Sequence, residues 1–208
     1  YSIIRQTTML NVLVTGAGGQ LGSEMRRLGS AASNDYLFTD AAELDITDAG
    51  AIRRTMAERR IDVVVNCAAY TDVERAEREE AAADRLNREA AGELAAAVRE
   101  ADATLIHIST DYVFDGTSPE PYTEESPAAP QSVYGRTKLA GEEAIRASGC
   151  KHLILRTSWL YSEYGHNFLK TMLRLTAERE RLNVVFDQTG TPTYAGDLAL
   201  AIFSIVEK

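Results

Sequence analysis

The 208-residue chain carries 45% hydrophobic and 25% charged residues and a formal net charge of −9. This is the composition of a globular protein with a real core, and the acidic balance argues against nucleic acid as a partner. No apolar run approaches the roughly 20 residues that span a bilayer, so no membrane partner is expected.

Residues 1–8 precede Met9 and read as an expression remnant or an upstream extension. Residues 10–14, Leu-Asn-Val-Leu-Val, form a short apolar run that reads as a buried strand. Gly16, Gly19 and Gly22 follow at spacings of three, with Gly18 between them. Glycine tolerates the backbone angles of a tight turn, lets a chain approach a pyrophosphate, and lets the next helix pack closely. A helix over 20–28, opening at Gln20 and Leu21, would then point its N–H groups at phosphates. The pattern is GxxGxxG rather than the usual GxGxxG, and with its flanking strand and helix it points to a nucleotide cofactor.

A second strand covers 36–39. Asp40 at its end either accepts from adenosine ribose hydroxyls or is a surface turn residue. Thr47 or Asp48 caps a helix over 49–58. A third strand covers 61–69, with Val63–Val65 continuously apolar, as a strand covered on both faces requires. It ends in Ala68 and Ala69, whose small side chains leave room for a flat ligand. Cys67 and Cys150 show no metal spacing. Cys67 reads as a buried free thiol, and both cysteines fit the reducing cytoplasm where the protein is expected. Residues 72–99 are helical, as one helix or two, and Asn87 is the odd polar residue there, a buried hinge or simply exposed.

A fourth strand covers 104–110, ending in Ser109-Thr110. A proline-rich loop over 118–130 is long enough to rim an active site. A helix over 132–147, a fifth strand over 151–156, a helix over 167–179, a short strand over 183–186 and a helix over 196–206 complete the chain. His107 and His152 read as structural or surface residues. The β-α alternation predicts an α/β fold, a Rossmann-like doubly wound parallel sheet with helices on both faces. Residues 10–14 are expected at its centre. The dinucleotide-binding domain is expected over 9–160. Residues 161–208 would add a late strand and helix to it and begin a small C-terminal substrate lobe.

Tyr134 and Lys138 stand at i and i+4 on one helical face. A phenol with a reference pKa near 10 is a poor proton donor to a carbonyl unless its phenolate is stabilised. A nearby ammonium does so by Coulomb attraction and can also hold ribose hydroxyls. A hydroxyl such as Thr110 can donate to a carbonyl oxygen as hydride arrives at carbon, and Tyr134 then delivers the proton. Thr110, Tyr134 and Lys138 are therefore the candidate catalytic set.

These stretches, with Asn66–Thr71, Ser109–Gly116, Tyr134–Glu142, Arg156–Tyr161 and Gln188–Asp197, resemble the extended short-chain dehydrogenase/reductases. Within that superfamily they are similar to the dTDP-4-dehydrorhamnose reductase family. The resemblance runs from Met9 to about Ile205. It implies NADPH- or NADH-dependent reduction of the C4 ketone of dTDP-4-dehydro-β-L-rhamnose to dTDP-β-L-rhamnose, with the family's catalytic trio at Thr110, Tyr134 and Lys138. It puts cofactor contacts at Gly16, Gly18, Gly19, Gln20, Leu21, Asp40, Asp45, Ile46, Ala68, Ala69 and Lys138. It puts contacts to the dTDP-sugar at Tyr70, Asp111, Tyr112, Trp159 and Asn167.

Two departures accompany the resemblance. Members of the family run longer, so the chain is expected to be a piece of a longer protein or to lack much of the substrate lobe. His166 stands where the family often has Asn. Some members form a magnesium-bridged dimer through a glutamate matching Glu24; no metal is assigned here, and a monomer or homodimer is expected. A similar relative serves as the NADP-binding regulatory subunit of methionine adenosyltransferase. That binding role, or another nucleotide-sugar reductase or epimerase activity, is the alternative.

Overall fold

The computed structural model describes residues 9–207; the reading of residues 1–8 lies outside them. Five strands form one parallel sheet: β1 (Asn11–Thr15), β2 (Asp35–Thr39), β3 (Val63–Asn66), β4 (Thr104–Thr110) and β5 (Lys151–Thr157), in the order β2-β1-β3-β4-β5. The middle strand is β3, not the 10–14 segment, because β2 adds at one edge while β3, β4 and β5 add successively on the other side. The order reverses between β1 and β3, which opens a crevice beyond their carboxyl ends.

The middles of β1, β3 and β4 are mostly apolar because both faces of the sheet are covered there. On one face Leu13, Val64 and Leu105 pack with α2 (Ala49–Arg59), α5 (Ala90–Glu100) and α6 (Val133–Ser148), through Ile52, Met56, Leu94, Val98 and Ile145. On the other, Val12, Val14, Val65 and Ile106 meet α1 (Gln20–Gly29) and α8 (Ala195–Val206), through Met25, Ile202 and Phe203. Side-chain alternation thus splits each strand between two cores. Caps follow the sequence signals. Asp48 accepts from the Ala51 N–H to start α2, and Ser132 accepts from the Gly135 N–H to start α6.

The helical region over 72–99 is broken. A single turn α3 (Val73–Ala76) comes first, then α4 (Glu80–Asp84), a π-helical stretch (Arg85–Glu89) and α5. Beyond the main sheet, β6 (Leu160–Tyr161) pairs in parallel with β7 (Thr193–Tyr194), and α7 (Phe168–Glu178) lies on the outside, as the beginning of a C-terminal lobe. The strand expected over 183–186 does not form. Val184, Val185 and Phe186 have strand propensity but no partner edge, and they are exposed. Pairing falls instead on Thr193, whose N–H donates to the Trp159 carbonyl.

One buried carboxylate ties β4, α6 and β5 together. Glu142 is 0% exposed. It accepts from Ser109 Oγ (2.5 Å), Arg146 Nη2 (2.8 Å) and Arg156 Nε and Nη2 (2.9 and 2.7 Å). Burial opposes its charge, yet the hydrogen bonds from Arg156, Ser109 and Arg146 together hold its pKa below the ordinary carboxylate value. A carboxylate depressed in the folded state stabilises the fold above its unfolded pKa, and that contribution is lost as pH falls through the folded one. Removing one member of such a buried pair costs about 3–5 kcal/mol. Glu142→Gln is therefore expected to lose about 3 kcal/mol in urea denaturation at pH 7. The gap to wild type should narrow below pH 4. A loss under about 1 kcal/mol would mean that solvent, not Glu142, balances the two guanidinium groups.

Candidate active site

Four segments meet at the carboxyl ends of the parallel strands: the glycine turn after β1, the end of β3, the end of β4 and the first turns of α6. Gly16 has φ +65°, and a Cβ there would meet the Ala68 backbone nitrogen at 2.6 Å. Only glycine lets the β1 turn lie against the end of β3. Gly22 is similarly pressed onto the turn, with the Gly16 carbonyl oxygen 2.3 Å from its hypothetical Cβ. Gly19 differs. It caps α1 in an extended conformation, and a Cβ there would meet only the Gly16 carbonyl, at 3.3 Å. The fold itself makes no demand for glycine at 19, and the space its Cβ would enter lies beside the N–H groups that open α1. A cradle of this kind fits a phosphate group.

The remaining expected cofactor residues sit around this cradle. Asp40 folds its carboxylate over Gly18, so the end of β2 reaches the glycine turn. Asp45 is held low in pKa by hydrogen bonds from Thr47, its backbone N–H first. Ile46 and Leu21 are buried in the two cores, so only their backbones can face a ligand. The Ala68 N–H donates to Asn66 Oδ1. Gln20 turns away: its Oε1 accepts from Asn167 Nδ2 (2.9 Å) and its Nε2 donates to the Leu160 carbonyl (3.4 Å).

Thr110 closes β4. Its Oγ1 accepts from the Tyr112 N–H and donates to Asp111 Oδ1, both at 3.2 Å, starting a 3-10 turn over Asp111–Val113. Asp111 Oδ2 also accepts from Ser158 Oγ at 2.8 Å. The α6 backbone presses onto this turn at Gly135, where a Cβ would meet the Tyr112 carbonyl oxygen at 2.2 Å. That close approach sets Tyr134 beside Thr110 and edge-on to Tyr112, with ring centroids 5.5 Å apart. Burial pushes the Tyr134 phenol up to about 12, and the neighbouring Thr110 hydroxyl pulls the other way.

One turn on, Lys138 is 1% exposed. Its Nζ donates to the Ile108 carbonyl at 2.7 Å and lies 3.3 Å from His107 Nε2. Burial lowers its pKa to about 8. The ammonium is aimed at the Ile108 carbonyl and His107 on β4, and burial is the largest influence on Tyr134.

The expected substrate residues divide. Asp111 and Tyr112 border the Thr110–Tyr134 pair, while Trp159, half exposed with φ 47°, lies two residues beyond Thr157, the β5 partner of Thr110. Tyr70 donates its hydroxyl to Glu79 Oε2 at 2.8 Å. Asn167 caps α7 and bridges to Gln20. Two further polar residues organise the site: Asn87, which the sequence left open as a buried hinge or an exposed residue, and Asn66, which was not singled out there. Asn87, in the π-helical stretch, is buried and pins the Tyr70 backbone at both ends while donating to Thr137 Oγ1. Asn66 joins Thr15 to His107. The available signal was a polar residue inside a strand covered on both faces.

No group of three or more metal-ligating side chains occurs among the described residues. Glu24, the residue matching the family's magnesium ligand, is buried and engaged by Arg27 and Tyr194. No helix among the described residues is long and apolar enough to cross a membrane.

The model of the family described as RmlD substrate binding domain matches residues 10–208. A dTDP-4-dehydrorhamnose reductase of Mycobacterium tuberculosis is 45% identical over 201 residues, covering 94% of this chain and 66% of the relative. The chain thus spans about two thirds of the length of the curated relatives it matches. A dTDP-4-dehydrorhamnose reductase of Bacillus anthracis, solved in complex with NADP, superimposes with a TM-score of 0.92 at 42% identity, covering 96% of this chain and 71% of that one. One from Clostridium acetobutylicum gives 0.91 at 42% identity, covering 95% and 70%.

The contrast between the two glycines is testable without any ligand. Gly16→Ala forces a side chain to positive φ against backbone and should cost at least about 1–3 kcal/mol. Gly19→Ala should stay within about 1 kcal/mol of wild type. Equal losses in thermal or urea unfolding would show that Gly19 too is demanded by the fold.

Proposed function

The chain belongs to the dTDP-4-dehydrorhamnose reductase family, and we propose that the complete protein reduces the C4 ketone of dTDP-4-dehydro-β-L-rhamnose to dTDP-β-L-rhamnose, using NADPH or NADH. What supports the reading most is the convergence of Thr110, Tyr134 and Lys138 at the carboxyl ends of the strands, beside the glycine cradle. The bound nicotinamide supplies the hydride that reaches C4. Thr110 donates to the ketone oxygen and orients it. Tyr134 gives its proton to that oxygen as negative charge develops there, so ketone, hydride and proton become the secondary alcohol.

In this reading Lys138 donates to the nicotinamide ribose hydroxyls. The N–H groups near Gly18, Gly19, Gln20 and Leu21 take the pyrophosphate, and Asp40 faces the adenosine ribose. Asp45, Ile46, Ala68 and Ala69 line the rest of the dinucleotide. Tyr70, Asp111, Tyr112, Trp159 and Asn167 edge the space for the dTDP-sugar. Binding energy from the nucleotide end would be used to hold the ketone in register.

The test is an assay of the full-length protein with dTDP-4-dehydro-L-rhamnose, following loss of reduced nicotinamide absorbance. Tyr134→Phe keeps the ring but loses the proton donor, and should cost about 10²–10⁴-fold in turnover with cofactor affinity unchanged. Gly19→Val should weaken cofactor binding by at least about tenfold, 1.4 kcal/mol, in calorimetry. Because burial brings Lys138 down to about 8, cofactor affinity should fall as pH rises through that value and the ammonium loses its proton. Equal rates for wild type and Tyr134→Phe would remove Tyr134 from the chemistry. Cofactor binding without any turnover in the full-length protein would favour a regulatory binding subunit instead.

A further inference from the structure

A line of buried polar side chains runs across three adjacent strands behind Lys138. Thr15 on β1 stands in register with Asn66 on β3, and Asn66 with His107 on β4. All three are at most 1% exposed. Thr15 Oγ1 lies 2.7 Å from Asn66 Oδ1, and the Ala68 backbone nitrogen lies 3.2 Å from the same atom. A backbone N–H can only donate, so the atom it meets is the amide oxygen. The other end of the amide, Nδ2, is therefore the end that faces His107 Nδ1, at 3.0 Å.

That orientation decides the imidazole. Asn66 Nδ2 has only N–H groups to offer, so His107 Nδ1 must accept and cannot carry a proton. An imidazolium would set donor against donor, and burial also drives the His107 pKa well below its ordinary value, with the Lys138 charge adding to the effect. The ring is neutral and its one proton is on Nε2. Nε2 lies 3.3 Å from Lys138 Nζ. An ammonium has three N–H groups and no lone pair, so it cannot accept from Nε2–H. A neutral amine can.

We propose that Asn66 locks His107 in the Nε2–H tautomer and that His107, so held, is a positioning residue that favours the amine form of Lys138 over the ammonium. The proposal rests on the reading of Lys138 as the cofactor-binding and catalytic lysine only for its consequence in the reaction. The tautomer itself follows from the hydrogen bonds. The other titratable groups around Lys138 are Tyr134 and Glu142 on its own helix and Cys67 at the end of β3, with Arg156 on β5 reaching it through Glu142. The Glu142 carboxylate favours the ammonium, but it is taken up by Ser109, Arg146 and Arg156. The Cys67 thiol is pushed up to about 12 by burial and stays neutral. His107 is the neutral group that directs a donor at Nζ.

The experiment is nitrogen-15 NMR of the histidine side chains of this chain, without cofactor or substrate. His107 is expected as the neutral Nε2–H tautomer from pH 6 to 9. In Asn66→Asp the carboxylate has no N–H to give, so the proton should move to Nδ1, and Nε2 should offer its lone pair to the ammonium. The Lys138 titration, followed at its side-chain resonances, should then rise by at least about one pH unit, tenfold in proton affinity. The new carboxylate also acts through space, so the same substitution is made in His107→Leu. There the rise should be clearly smaller. An Nδ1–H tautomer or an imidazolium in the wild type overturns the proposal, as does an equal rise in both backgrounds. If the variants fail to fold, the wild-type tautomer still decides. No readout uses turnover, so failure of the reductase reading would leave this result standing, and the reverse also holds.

Discussion

The Glu142 carboxylate is carried into the interior on α6, and three elements are organised to receive it. Ser109 comes from β4, Arg156 from β5 and Arg146 from the next turn of its own helix. A charge taken out of water is tolerated only when every lone pair finds a donor, so the approach of α6 to β4 and β5 is tightly specified. Thr110 lies one residue beyond Ser109, and Lys138 one helical turn before Glu142. The register that satisfies the carboxylate is therefore the register that brings the first turns of α6, with Tyr134 and Lys138, against the end of β4. Arg156 also lies over the Phe114 ring, 5.0 Å from its centroid. Phe114 in turn stacks on Tyr122 at 4.4 Å, which extends the same constraint into the proline-rich loop.

A second set of constraints works through close backbone approach. At Gly16 the β1 turn touches the end of β3, and at Gly135 the start of α6 touches the turn after β4. Each contact leaves no room for a side chain and brings the two segments backbone to backbone. Gln20 and Asn167 link the first turn of α1 to the cap of α7 and to Leu160 in β6. The beginning of the C-terminal lobe is thus tied to the glycine turn by hydrogen bonds between side chains 147 residues apart.

Burial gives the two titratable groups of the candidate site opposite tendencies. It raises the phenol and lowers the ammonium, because each resists carrying charge away from water. In the free protein both therefore lean towards their neutral forms. The ammonium faces the Ile108 carbonyl and His107 rather than Tyr134, so the stabilisation of a phenolate that the i, i+4 spacing suggests is not realised through direct contact.

Much of this was legible along the chain because its physical cause is local. A strand covered on both faces must be apolar throughout, and Val12–Val14 and Val63–Val65 say so. A turn at positive φ calls for glycine, and Gly16 is there. Residues four apart on a helix share a face, which is all that pairing Tyr134 with Lys138 needs. What the tertiary structure alone decided involves partners far apart in sequence. Val184–Phe186 has the composition of a strand but meets no edge, so it forms none. The helical region over 72–99 breaks after α3 and turns π-helical where Asn87 pins Tyr70. His107 reads as an ordinary strand residue until β3 sets Asn66 against it. Periodicity reports which way a side chain points. It does not report which polar group from another strand will be waiting there, and hydrogen bonds between such groups choose the tautomer, the charge and the direction of the lysine.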